Sequence, residues 1–285
     1  MYTRDNITKL TLDRLQCKLE IAYSNKRHMT DAANGVFMAA LRNGVDINSL
    51  IDDLENNTAF NTEDFFAAKS GNLLDFLKSD YHSIAQSLVN ITAGGNGGMA
   101  SIGRGEFFIA FMSNFQAMIA KSGNGDIDYK NKCEEVKHNG GKITVAKKAG
   151  REVTRSFLEL VESSKATLKG ADYLPGRKKD VKLYSDAESA ILNSLYWTAT
   201  TGENTSPMSY EQWALSCISR AASNVFEISD SLLVVNDNND FVRFTTVDEV
   251  VDYYSQDVKA VEFELRSNQA NPVSIYLKVF DNDLV

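Results

Sequence analysis

Along the first ninety residues, apolar positions recur at helical spacing. Leu12, Leu15, Leu19 and Ile21–Ala22 form one stripe over Thr11–Tyr23. Ala33, Val36, Phe37, Ala40 and Leu41 form another behind Thr30-Asp31, side chains that suit a helix start. Ser49–Glu55, Thr62–Ala68 and Leu73–Val89 predict further amphipathic helices, parted by the polar breaks Asn56-Asn57-Thr58 and Lys69-Ser70-Gly71-Asn72. Glu106–Ala120 predicts a strongly apolar helix with its one acid in the first turn. The period then changes: Asp126–Tyr129 and Cys133–Lys137 read as two short strands, joined by Lys130-Asn131-Lys132 into a hairpin that Gly140-Gly141 ends. Ile143–Val145 is a brief extended piece, and Val153–Leu168, Asp186–Trp197 and Ser209–Phe226 are helical. Leu232–Val235 and Phe241–Phe244 predict a second hairpin, Thr246–Tyr254 a short helix, and Val261–Leu265 and Val273–Phe280 two alternating strands.

This pattern predicts an α/β (α+β) chain: a helical N-terminal region over 1–92, then 93–285 built on a mixed sheet with flanking helices. Leu232–Val235 follows a long helix, as a central strand added beside the 126–137 hairpin would. The core is then completed by the C-terminal strands, with a basic helical insertion at about 150–205.

Composition narrows the classes. Of 285 residues, 43% are hydrophobic and 24% charged, the make-up of a soluble globular chain, and three prolines exclude a proline-rich disordered one. No apolar run reaches the ~20 residues needed to span a bilayer, and the polar Met1–Asn6 carries no secretory-signal pattern. Cys17, Cys133 and Cys217 form no Cys-x-x-Cys pair, and His28, His82 and His138 are equally scattered, so no zinc site is assembled locally. Six of the 17 glycines fall within residues 93–105, but no Gly-Lys-Ser/Thr follows. A hinge or a close backbone approach is expected there rather than a phosphate loop. Asp237-Asn238-Asn239-Asp240 lacks the central Gly and distal Glu of a calcium loop and reads as a hairpin turn.

The net charge of -8 is unevenly spread: residues 1–120 carry 10 Lys/Arg and 13 Asp/Glu, residues 121–182 carry 15 and 9, and residues 183–285 carry 5 and 16. Phosphate attraction is local, screened beyond about 10 Å, so the +6 segment outweighs the total as a signal.

Beside that segment lie the residues with chemistry. Asp126 and Glu135 are on neighbouring strands of a tight hairpin, so their carboxylates are expected to meet at one end of it. Glu135 and Lys137 are two apart on one strand and point the same way, while Val136 points into the core. Two carboxylates suit a divalent cation such as Mg²⁺, and an adjacent ammonium offsets the charge that develops in phosphodiester hydrolysis. Glu106, opening the preceding helix, adds a third carboxylate. His138 and Glu134 face the other way and are expected to pack rather than react.

Glu106…Gly125-Asp126-Ile127…Glu135-Val136-Lys137 resembles the PD-(D/E)XK nuclease superfamily over about 45 residues, with Gly125 where the family name has Pro. The resemblance implies a restriction-endonuclease-like fold, Mg²⁺ or Mn²⁺ held by Asp126 and Glu135, a catalytic Lys137, and Glu106 as the helical acid of some branches. Lys142, Lys147, Lys148, Arg151 and Arg155, then Arg177, Lys178 and Lys179, form two basic groups expected to contact a DNA backbone without reading sequence. The leading expectation is a metal-dependent DNA nuclease. Gly103-Arg104-Gly105-Glu106 and the Glu135-Val136-Lys137…Gly140-Gly141 ending also look like proteins of tailed bacteriophages. The alternative is therefore a virion or assembly protein that keeps the fold, bound to other phage structural proteins or to itself. Either places it in the host cytoplasm or the phage virion, with no membrane partner.

Overall fold

The computed structural model describes residues 4–20, 26–91, 103–119, 125–145, 179–181, 210–258, 261, 263–268 and 271–279. They form an α/β protein with two sheets. By its contacts the chain divides into two compact units, residues 1–139 with 228–244, and residues 140–227 with 245–283. Among the described residues no helix is long and apolar enough to cross a membrane.

In the first unit the helical region runs as α1 (Arg4–Leu19), α2 (Lys26–Arg42), α3 (Ile47–Glu55) and α4 (Thr62–Ala67). Asp46 caps α3 by accepting from the Asn48 N–H, and Asn61 caps α4 by accepting from the Asp64 N–H. The single helix predicted over Leu73–Val89 is shorter than expected. Leu73–Phe76 and Ser79–Tyr81 are 3₁₀ turns, and only α5 (His82–Val89) is α-helical. The reason is competition for backbone groups. Phe76 C=O accepts from Asn61 N–H (2.7 Å) and Lys78 N–H donates to Ala59 C=O (2.9 Å), so both are spent on the preceding turn rather than on a helix. Just before, β1 (Ser70–Asn72) forms a short edge strand.

The helix α6 (Glu106–Met112) is also shorter than the predicted Glu106–Ala120. Every one of its residues is buried, as a helix apolar on all sides must be. Asn114 and Phe115 then take left-handed backbone angles (φ 53° and 57°), and the Phe115 N–H closes the helix end onto Ala110 C=O at 2.7 Å. The chain turns back as β2 (Met118–Ile119) and proceeds through β3 (Ile127–Tyr129) and β4 (Lys132–His138).

The sheet of this unit also contains β7 (Ser231–Val235) and β8 (Asp240–Phe244), in the order β1-β8-β7-β4-β3-β2. β4 pairs with β7 in parallel, from Glu134 opposite Ser231 to His138 opposite Val235; every other pairing is antiparallel. The strand pattern at 232–235 therefore lands beside the 132–138 strand, as its sequence predicts. One face of the sheet, Val136, Leu233, Val235 and Phe241, packs on Leu15, Val36, Leu54, Phe65, Leu88 and Phe107–Met112 in a single hydrophobic core. For that reason the chain does not divide between residues 92 and 93 as expected: the N-terminal helices have no core apart from α6 and the sheet.

One ion pair lies within this face. Arg243 of β8 and Glu134 of β4 are 7% and 3% exposed. Arg243 Nε donates to Glu134 Oε1 at 2.6 Å and Nη2 to Oε2 at 3.2 Å, and Ser231 Oγ donates to Oε1 at 2.9 Å. Arg243 Nη1 donates to the carbonyls of Phe65 (2.7 Å) and Ala68 at the C-terminal end of α4. The guanidinium also lies over the rings of Phe65, Phe66 and Phe241.

The second unit has a four-stranded antiparallel sheet of β5 (Lys142–Thr144), β6 (Lys179–Val181), β9 (Phe263–Asn268) and β10 (Asn271–Lys278), in the order β5-β10-β9-β6. With it are α7 (Tyr210–Phe226) and α8 (Val247–Ser255), the latter capped by Thr246. The helices predicted at Val153–Leu168 and Asp186–Trp197, and the insertion over 150–205 apart from β6, lie outside the described residues.

Candidate active site

The first unit's central hairpin sets the site. Lys130 and Asn131 both have positive φ (48° and 65°), making a two-residue turn that fixes Tyr129 opposite Lys132, Asp128 opposite Cys133 and Ile127 opposite Glu134. This register phases β4. Glu134, Val136 and His138 are buried, while Cys133, Glu135 and Lys137 alternate onto the opposite, half-exposed face.

Asp126 stands where the two strands separate. Its own N–H still donates to Glu134 C=O at 2.9 Å, but the chain before it turns away at Gly125, whose φ is 67°. A Cβ on Gly125 would fall 2.5 Å from Cys133 Sγ and 3.1 Å from Glu134 O. Proline, with φ near -65°, cannot take this conformation. Past this point the Val136 N–H donates to Asp126 Oδ2 at 2.9 Å, the carboxylate taking the place of a strand neighbour.

Lys137 joins the two predicted carboxylates. Its Nζ lies 3.2 Å from Asp126 Oδ2, is ion-paired with Glu135 Oε1, and donates to Val136 C=O at 3.1 Å. The three side chains retain 24%, 17% and 17% of their exposure for Asp126, Glu135 and Lys137, so water is largely but not wholly excluded. Burial alone would lower the Lys137 pKa. The charges and hydrogen bonds of Asp126 and Glu135 outweigh it and raise the pKa, so this lysine is a firm ammonium.

Glu106 completes the group from α6. A Cβ on Gly103 would fall 2.2 Å from Glu106 Oε1, and the Gly103 backbone hydrogen-bonds the carboxylate. The close backbone approach expected of the glycine-rich segment is realised there. Burial first, and then the negative charge of Asp126, push the Glu106 pKa from an ordinary 4.5 up to about 8, with Glu135 adding to the rise. At neutral pH Glu106 therefore holds its proton.

These residues fit a divalent cation. Beyond burial, the negative charges of Asp126 and Glu135 add to the rise in the Glu106 pKa, and a hard cation there would offset them. Oxygen donors are what Mg²⁺ and Mn²⁺ prefer, and one or two carboxylates suffice when waters fill the remaining positions. Among the described residues no group of three or more His, Cys, Asp or Glu donors is arranged as a ready cage. The carboxylates close on the ammonium instead.

Of the other residues expected to act, Lys142 opens β5 and Lys179 opens β6, both in the second unit. Lys147, Lys148, Arg151, Arg155, Arg177 and Lys178 lie outside the described residues. His138 and Glu134 point away from the site, as alternation predicts. The sequence reading passed over two features. Cys133 shares the face of Glu135 and Lys137; burial and its hydrogen bond to Asp128 push its pKa up to about 12, so it stays a thiol. The Arg243–Glu134 pair braces β4 from behind. Alternation puts each charged residue at a core-facing position, but nothing local in the sequence pairs the two.

No protein-family model matches the chain, and no curated protein or solved structure is detectably similar to it.

Proposed function

We propose that the chain is a metal-dependent nuclease that hydrolyses DNA phosphodiester bonds, a PD-(D/E)XK enzyme of the kind tailed phages encode. The reading rests on one observation: Asp126, Glu135 and Lys137 converge, half-buried, with a protonated Glu106 beside them. Asp126 and Glu135 would hold Mg²⁺ or Mn²⁺. Bound there, such an ion supplies Lewis acidity toward a phosphate oxygen and makes a coordinated water more acidic. Lys137 contributes a positive charge that offsets the negative charge developing on the phosphate. Glu106 holds a proton on its carboxyl group near neutral pH, available to a departing oxygen. The basic residues Lys142, Lys147, Lys148, Arg151, Arg155, Arg177, Lys178 and Lys179 would contact the DNA backbone.

Plasmid DNA incubated with Mg²⁺ or Mn²⁺ should be nicked, and EDTA should prevent it. Asp126→Ala or Lys137→Ala should lower the rate at least about 100-fold with circular dichroism unchanged. Undiminished nicking in either variant removes that residue from the mechanism.

A second reading is a phage virion or assembly protein that keeps this fold without catalysis. It is favoured by the closure of both carboxylates on Lys137. A ring-sized oligomer in size-exclusion chromatography, with no heat of Mn²⁺ binding, would support it over the enzyme.

A further inference from the structure

We infer that Lys137 is the site's resident counter-cation, and that a divalent ion enters by displacing its ammonium from Asp126 and Glu135. The inference rests on the metal-dependent reading above and adds an order of events to it.

Three observations carry it. First, Lys137 Nζ has three hydrogens and three acceptors: Asp126 Oδ2, Glu135 Oε1 and Val136 C=O. The ammonium is docked rather than hovering near the site. Second, Asp126 Oδ2 already accepts from Val136 N–H as well as from Lys137. An ion bound to that oxygen at about 2 Å would meet an oxygen whose electron density is committed twice. Third, both carboxylates are turned onto the same ammonium, so an ion that takes their facing oxygens must part them from it.

The electrostatics give the reason for such a device. Asp126, Glu135 and Glu106 share one half-buried place. Without an internal cation, two carboxylates there would repel each other with little water to screen them, or take up protons. Lys137 keeps the metal-free site folded and charge-balanced, and its release on loading leaves a mobile ammonium next to the substrate position. Affinity for metal is lowered by the ion pairs that must be broken.

Two measurements test this without reference to cleavage. Isothermal titration with Mn²⁺ compares the wild-type chain with Lys137→Met, which keeps the aliphatic stem. The variant should bind at least about tenfold more tightly, since it has no charge to displace. In the wild-type chain, acetic anhydride labelling of Lys137 is followed by peptide mass spectrometry. Saturating Mn²⁺, or Ca²⁺ as a second oxygen-seeking ion, should raise the labelling rate severalfold as the amine leaves its partners. Equal or weaker Mn²⁺ binding by the variant, or labelling unchanged by metal, overturns the inference: the ion then uses the second carboxylate oxygens and the lysine stays in place. Absence of Mn²⁺ binding in both proteins overturns the metal-dependent function itself, and this inference with it.

Discussion

Arg243→Met should be among the most damaging single substitutions outside the site. The guanidinium is 7% exposed and its partner Glu134 3% exposed, so neither charge has water to fall back on. The substitution removes both bonds to Glu134 and strands a buried carboxylate, a change that costs about 3–5 kcal/mol. The carbonyls of Phe65 and Ala68 lose a donor at the same time, each worth about 1 kcal/mol. Methionine recovers part of this by filling the space against Phe65, Phe66 and Phe241, leaving a net loss of about 4 kcal/mol. At about 2–4 °C per kcal/mol for a domain of this size, the midpoint of thermal unfolding should fall by roughly 8–16 °C. The double variant Glu134→Leu/Arg243→Met removes the stranded charge and should recover about 2 kcal/mol or more of the loss, because an apolar pair can replace a buried ionic one. Scanning calorimetry of the wild-type chain, both single variants and the double variant closes the cycle. A loss below about 1 kcal/mol in Arg243→Met, or a double variant less stable than Arg243→Met, would refute the reasoning.

The remaining predictions concern the site. Gly125→Ala combines a φ of 67° with a Cβ 2.5 Å from Cys133 Sγ, so it should lower stability by about 2 kcal/mol or more and displace Asp126; a melting midpoint within error of wild type would contradict this. Glu106 makes metal-free stability depend on pH. Between its ordinary 4.5 and about 8 the unfolded chain has released a proton that the folded chain keeps, so the folded state binds more protons and stability falls as pH rises, levelling off above 8. Glu106→Gln should flatten that slope by a few kcal/mol across the window, at about 1.4 kcal/mol per unit, and parallel stability–pH curves for the two proteins would count against it.

Much of the site was legible because it lies in consecutive strand residues. Alternation alone puts Glu135 and Lys137 on one face and Val136 on the other, and the positions of Lys130 and Asn131 in the turn fix which face Asp126 shares. The sequence does not encode locally how far a helix runs when long-range partners compete. The predicted helix over Leu73–Val89 loses its first half to pairing with residues 59–61, and the one over Glu106–Ala120 stops at a left-handed Asn114-Phe115 that no propensity requires. The domain boundary was misplaced for a similar reason. Gly94 to Gly98 suggest a hinge, yet Phe107–Met112 belong to the same core as the helices before them. Arg243 could have been paired with Glu134 only by knowing that the two strands lie in one sheet, with residues 139–239 intervening.

That separation bears on how the protein is made. A ribosome releases β4 long before Ser231–Val235 exists, so the nascent chain carries an acid- and lysine-bearing edge with its parallel neighbour still unsynthesised. The carboxylates and ammonium can gather on β4 early, but the strand becomes central, and so rigid, only when the last quarter of the chain emerges. The second pairing of β4 therefore comes late in synthesis, and fragments ending before residue 231 should carry Asp126, Glu135 and Lys137 without the parallel neighbour of their strand.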